Sequence, residues 1–233
     1  MRKELMIMKR TFALGDLHGN KKVFEAILAE LSPEDTVYCL GDVVDRGPHG
    51  YDILKSILAD KRFILLKGNH EDMFADSIRN HLEYEYIDYN HYRNGGSYTY
   101  KAWVDAGAQA NILGIINRLP VKLLYINKNK QNIWLSHAGF NIDDIPEDEE
   151  EYLWNREHFY AWMDIEKHPN DYIIHGHTPI GYIFEGDVPE EKPEFGPFWY
   201  NDGHKSDIDF LTWKKNYTFL LDLDTFEAVE VRI

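Results

Sequence analysis

The first third of the chain alternates short apolar runs with amphipathic stretches, and each run stops at a small polar cluster. Residues 11–14 end in Gly15-Asp16, residues 36–40 in Gly41-Asp42, and residues 63–66 lead into Gly68-Asn69-His70-Glu71. Between them, residues 21–31 carry Val23, Phe24, Ile27, Leu28 and Leu31 at helical spacing, and residues 51–58 and 72–79 read as two further helices. A β-α-β-α-β order of this kind predicts a mainly parallel sheet covered by helices. Such sheets bind ligands beyond the carboxyl ends of their strands. The polar clusters stand at those ends three times in succession, so the predicted fold already says where a site should lie.

Beyond residue 80 the character changes. Residues 80–120 are rich in Tyr (84, 86, 89, 92, 98 and 100), are broken by Asn94-Gly95-Gly96, and predict a small, mostly helical cap. Strand signals return at 121–126 and 132–135, the latter followed by Ser136-His137-Ala138-Gly139, and at 172–174, followed by His175-Gly176-His177-Thr178-Pro179. The acidic run 143–151 predicts a solvated loop. Residues 157–166 predict a helix, 188–197 a loop rich in Pro and Glu, and 210–213, 217–222 and 227–233 short closing strands. With no internal repeat and no linker-like composition, one domain over 1–233 is the simplest reading.

Each cluster carries possible chemistry beside a plainer alternative. In GDLHGN at 15–20, Asp16 and His18 are two apart after a strand and can face one side, a carboxylate and an imidazole that suit a transition metal. The alternative is a tight turn with an incidental His. In GDVVDRG at 41–47, Asp42 can bridge two ions and Arg46 can fork onto phosphate oxygens; a structural Asp–Arg pair competes. In GNHE at 68–71, Asn69 offers an oxygen and His70 an acid near neutral pH, while Asn69 also suits a helix start. His137 and His177 taken singly read as satisfied histidines. A chance match to GD-x-HGN has a probability on the order of 10⁻⁴, and five such clusters in order remove coincidence.

The ordered set GDLHGN, GDVVDRG, GNHE, SHAG and HGHTP resembles the calcineurin-like metallophosphoesterases, within them the phosphoprotein phosphatase branch of small bacterial and bacteriophage lambda-type enzymes. The Asp-Arg-Gly extension of the second motif points to that branch, as do Asn94-Gly95-Gly96 and the run Leu153-Trp154-Asn155-Arg156-Glu157. The resemblance spans 15–179; after that, Asn201-Asp202-Gly203 matches only loosely. It implies an α/β fold, a β-sandwich of two mixed sheets flanked by helices. It also implies two divalent ions, manganese foremost, with iron, zinc or cobalt as other choices. One ion would take Asp16, His18 and Asp42; the other would share Asp42 and take Asn69, His137 and His177. Arg46 and Arg156, with Asn69, would face the phosphate, His70 would protonate the leaving group, and Asp45 would orient His70. The wider superfamily often ends in Gly-His-x-His, but Thr178 and Pro179 follow His177 here, so that second His is missing. His175 reads as a supporting residue and His204 as a loop residue.

Two ions roughly 3.5 to 4 Å apart can share a water and lower its pKa toward neutrality for in-line attack on phosphorus. The expected activity is hydrolysis of phosphoserine, phosphothreonine and phosphotyrosine in proteins by that bridging hydroxide. The rival substrate is diadenosine tetraphosphate or another small phosphate ester, for which the tyrosines of the cap could stack a base. The plainer reading, that those tyrosines pack the cap onto the core, is preferred. A catalytically silent metal scaffold fits less well, having no need of both a clamp and an acid.

The net charge is −15, which speaks against a general nucleic-acid binder. Locally the sign reverses: two divalent ions and two arginines, offset by Asp16, Asp42 and a bridging hydroxide, bring the expected pocket to about +3. Cys39 is the only cysteine, so neither an intramolecular disulfide nor a thiolate cluster can form, and it reads as a small buried hydrophobe. No apolar stretch reaches the roughly 18–20 residues of a membrane span. The basic start MRKELMIMKR lacks an apolar signal core, Met6 or Met8 could be the true first residue, and the expectation is a cytoplasmic protein.

Overall fold

The computed structural model describes residues 9–183 and 191–233. The alternative starts at Met6 and Met8, and the first residues of the 188–197 loop, lie outside them; residues 191–197 are irregular. Among the described residues, ten strands form two mixed five-stranded sheets, an α/β sandwich as expected. In the first sheet, β1 (Thr11–Leu14), β2 (Thr36–Cys39) and β3 (Phe63–Leu65) run parallel. The hairpin of β9 (Tyr217–Asp222) and β10 (Ala228–Arg232) adds to the open side of β1 in antiparallel sense. The second sheet has the order β4 (Lys122–Ile126), β5 (Asn132–Ser136), β6 (Asp171–His175), β8 (Lys205–Asp207), β7 (Phe198–Tyr200), with β5, β6 and β8 parallel.

The period of two in each strand divides the core. Phe12 and Leu14 of β1, with Val37, Cys39, Phe63 and Leu65, face a layer of helices. Ala13, the next residue across, joins Ile133, Leu135, Ile174, Phe219 and Leu221 between the sheets. Each large apolar side chain so buried contributes about 1.5–3 kcal/mol. On the outer face of the second sheet, Ile173 packs with Phe140, Tyr152 and Met163.

The helix layer comprises α1 (Lys21–Glu30), α2 (Gly50–Ala59), α3 (Asn69–Tyr84), α4 (Tyr89–Arg93), α5 (Ser97–Asp105) and α6 (Asn111–Ile116); the short α7 (Glu151–Trp154) belongs to the second half. α1 starts where Asn20 caps it, accepting from Val23 N at 3.3 Å. α3 is longer than expected and begins at Asn69, because the Glu71 carboxylate reaches back to Gly68 N at 2.9 Å and holds the first turn. Residues 80–120 are mostly helical, as read, and Trp103, Ile112 and Ile116 bury into the first core. Tyr84, Tyr86, Tyr89, Tyr92 and Tyr98 are exposed instead of packing inward.

Three readings fail. Residues 157–166 are not a helix beyond a single 3₁₀ turn at Glu157–Phe159. Their backbone is claimed from outside: Asn201 Oδ1 accepts from Met163 N at 2.8 Å, and the Lys205 ammonium donates to the carbonyls of His158 and Ala161. Residues 210–213 form no strand, since Asp209 Oδ1 accepts from Leu211 N and turns the chain, and a 3₁₀ turn follows at Thr212–Lys214. Strands β7 and β8 were missed, and β8 reads Lys-Ser-Asp, with no apolar pattern to reveal it.

Candidate metal centre

The loops after β1, β2, β3, β5 and β6 converge at one edge of the sandwich. Asp16, His18, Asp42, Asp45, Asn69, His70, His137 and His177 are all buried there. Close approach of the loops demands glycine: a Cβ on Gly41, whose φ is +102°, would lie 2.5 Å from Gly68 N. Five site residues hold positive φ without being glycine: His18 (45°), Asp42 (52°), Asp45 (68°), Arg46 (57°) and His177 (70°). Such backbone costs of order 1–3 kcal/mol each and persists only where its surroundings impose it.

Two groups of donors meet at Asp42. On one side, His18 Nε2 lies 3.5 Å from Asp42 Oδ2 and 3.8 Å from Asp16 Oδ2. On the other, His137 Nε2 lies 3.4 Å from Asp42 Oδ1, 2.8 Å from Asn69 Oδ1 and 3.2 Å from His177 Nδ1. Donors around one ion at about 2.1 Å stand roughly 3.0–3.4 Å apart, so the second group has the spacing of a ligand set and the first is slightly open. Asp16 Oδ2 and His18 Nε2 are buried with no hydrogen-bond partner among the described residues, as a cation's ligands would be. His18 Nδ1 donates to Val44 O at 3.0 Å and His137 Nδ1 to Leu40 O at 2.9 Å, which turns each Nε2 lone pair inward. The mixed oxygen and nitrogen set fits divalent ions.

Charge in the pocket follows from burial and neighbours. Burial, then Asp209 and Asp42, push the Asp16 carboxyl well above the usual range. Burial opposes ionisation of Asp42 too, but His137, His70 and His18 outweigh it and hold its pKa low. Burial disfavours the His70 proton, yet Asp42 and Asp45 prevail and raise its pKa. His70 Nδ1 donates to Asp45 Oδ2 at 2.8 Å, and Arg46 Nη2 donates to His70 Nε2 at 3.1 Å. By distance alone His70 Nε2, 3.8 Å from Asp42 Oδ2, would also suit an ion, but its two nitrogens are already engaged by Asp45 and Arg46.

Sequence reasoning missed several supporting residues. Glu71 accepts from the backbone N–H groups of Asp42, Val43, Val44 and Gly68 at 2.7–3.3 Å. His91 lies 2.9 Å from Asp45, and Ser77 Oγ is 2.7 Å from its other nitrogen; Thr99 Oγ1 accepts from Asp45 N. Asp209 is buried, with one carboxylate oxygen unpartnered among the described residues, and burial raises its pKa to about 7. Only Glu71 had a visible signal, as the last letter of GNHE. Arg156 is exposed at the mouth; the desolvation of its partly covered guanidinium and then the charge of Arg46 lower its pKa, against the pull of Asp209 and Asp42. His175 turns away from the donors and bonds the Tyr200 hydroxyl at 2.7 Å; His204 stacks on Tyr172, away from the site.

A model of the calcineurin-like phosphoesterase family matches residues 9–198. The chain belongs to that family. Members of the calcineurin-like phosphoesterase family are metal-dependent hydrolases with a dinuclear centre. Over 73 residues it is 37% identical to serine/threonine-protein phosphatase 2 of Escherichia coli K12, covering 30% of this chain and 33% of that one. Over 65 residues it is 43% identical to the symmetrical bis(5'-nucleosyl)-tetraphosphatase of Acidovorax ebreus, covering 26% and 23%. The matched segments thus span at most about a third of either relative. Among solved structures, a proposed diadenosine tetraphosphatase aligns with TM-score 0.61 at 13% identity, covering 97% of this chain and 95% of that one. A metallophosphoesterase from Sphaerobacter thermophilus aligns with TM-score 0.57 at 16% identity, covering 97% and 88%. These two likenesses establish the shared fold. Among the described residues, no helix is long and apolar enough to cross a membrane.

Proposed function

We propose that this phosphoesterase hydrolyses phosphomonoesters, with phosphoserine and phosphothreonine in proteins as its substrates and phosphotyrosine as a further one. The observation that carries the reading is the meeting of two donor groups at Asp42 beside the chain Arg46–His70–Asp45. Asp16, His18 and Asp42 would hold one divalent ion, and Asp42, Asn69, His137 and His177 the second, manganese being the first choice. Bound there, the ions supply Lewis acidity and a water acidified toward neutral pH.

The protein's own groups do the rest. Arg46 and Arg156 would take the phosphoryl oxygens and offset charge as it develops. In this structure Arg46 donates to His70 Nε2, so turning Arg46 onto a phosphate frees that nitrogen to carry a proton. The Asp45 carboxylate, itself held ionised chiefly by His91 and His70 against its burial, keeps His70 oriented through Nδ1 and favours its protonated form. His70 then passes the Nε2 proton to the departing oxygen. No covalent phosphoenzyme is needed. A cytoplasmic location suits such a substrate.

The test is turnover of phosphoserine and phosphothreonine peptides beside diadenosine tetraphosphate, by the purified protein loaded in turn with Mn, Fe, Zn and Co. Higher kcat/KM on the peptides is expected, with Mn most active. A decisive preference for the dinucleotide would replace the leading substrate with its rival.

A further inference from the structure

The site has two unlike rims. On the side of His18, a groove of about 500 Å³ is lined by Gly19, Asn20, Lys21, Lys22, His49 and Trp213. His18 itself belongs to the lining, so the groove opens directly from the first donor group. Lys21 and Lys22 are exposed; Glu25, also in the lining, stands 3.9 Å from Lys21, an exposed pair of little strength. The loop carrying Trp213 adds Lys214, whose ammonium lies 4.5 Å over the indole, and Lys215. Asn20 Nδ2 donates to the carbonyls of Thr212 and Lys215 and fastens that loop to the start of α1. The Arg46 guanidinium is 5.8 Å over the same indole, and the indole N–H is shielded from water with no partner among the described residues. In a chain of net charge −15, this is a concentrated cationic wall.

The other rim is acidic. Beside Trp154 and Arg156, a second groove is lined by Asp148, Glu150, Glu151 and Glu157. The Trp154 and His177 rings are 5.9 Å apart, so this rim borders the second donor group.

The cationic groove lies on the His70 side. The His18 and His70 rings are 4.6 Å apart, and Arg46, which reaches His70 Nε2, also covers Trp213. An oxygen that takes its proton from His70 carries the rest of the leaving group toward those cations. We infer that the groove is the leaving-group subsite, and that it takes a peptide with acidic side chains next to the phosphorylated residue. This deepens the proposed function and rests on its assignment of His70. A peptide suits the two rims better than a polyphosphate does. The lysines are spread along α1 and the Trp213 loop instead of converging on one point. A row of phosphates running through the scissile phosphorus would also press charge against the acidic rim, a repulsion that a peptide acidic on one side avoids.

Three phosphoserine peptides of equal length, with acidic, neutral or basic flanking residues, and diadenosine tetraphosphate beside them, test this on the metal-loaded protein and on the Lys21→Glu/Lys22→Glu variant. The wild type should favour the acidic peptide over the neutral one by about tenfold at low salt, less as salt rises. The variant should lose that lead while its turnover of p-nitrophenyl phosphate stays within about twofold, since Glu is well placed in a first helical turn. Retention of the lead, or an equal loss on every substrate, would overturn the subsite. A loss confined to diadenosine tetraphosphate would overturn the peptide as its occupant. Failure of the wild type to hydrolyse any monoester would instead remove the proposed function.

Discussion

At the scale of single residues, Glu71 shows how much of the site is built from behind. It belongs to neither donor group, yet four backbone N–H groups, three from the loop after β2 and one from Gly68, end on its carboxylate. Glu71→Gln puts an N–H where an acceptor is needed. It should cost about 2–4 kcal/mol of stability, read as a lower midpoint in urea unfolding; an unchanged midpoint would show that those N–H groups find other partners. Asp42→Asn and His70→Asn should still give a folded chain with one cooperative urea transition. Turnover of p-nitrophenyl phosphate should fall about 10²- to 10⁴-fold for His70→Asn, and at least as far for Asp42→Asn. Wild-type turnover in either would remove the mechanism. Asp16, His18, Asp42, Asp45, Asn69, His70, His137 and His177, which meet at the edge, are legible because short motifs announce them. Glu71 was half visible; His91, Thr99 and Asp209 were not, since each acts on a partner far away in sequence and no local spacing records that.

Among the elements, the helix layer and first sheet could be read because burial imposes a period there: Phe12, Ala13 and Leu14 alternate between two cores. Residues 157–166 could not, because tertiary partners decide them. Lys205, wholly buried on β8, donates to the carbonyls of His158 and Ala161 and so replaces the helical bonds that the sequence suggests. Burial lowers its pKa from an ordinary 10.5 to about 8. Between those values the unfolded chain holds a proton that the folded one has shed, so stability rises with pH across the window. The stability of the wild type relative to Lys205→Met should therefore increase from pH 8 to pH 10.5, by up to about 3 kcal/mol. Urea unfolding of both proteins at the two ends of the window measures it; a flat difference would show that the ammonium is never released.

For the whole molecule, the decisive fact is that one edge gathers buried carboxylates from distant parts of the chain, among them Asp16, Asp42 and Asp209. Divalent ions held there would bind the folded chain alone. Chelation should abolish turnover and lower the melting temperature by roughly 5–10 °C, with both restored by added metal; calorimetry with and without chelator checks this, and an unmoved transition would show that ion binding adds little to the fold. The strand order has a consequence for synthesis. β9, which lies against β1, follows it by roughly 200 residues, and His137 and His177 also come from the second half. At about 5–20 residues per second, a ribosome needs on the order of 10–40 s to deliver β9 after β1. Throughout that interval β1 offers a bare edge and an uncovered apolar face, a natural surface for a holding chaperone. The nascent chain has no complete donor set until His177 has left the ribosome, so strand order acts as a clock that sets the earliest moment at which the site can assemble.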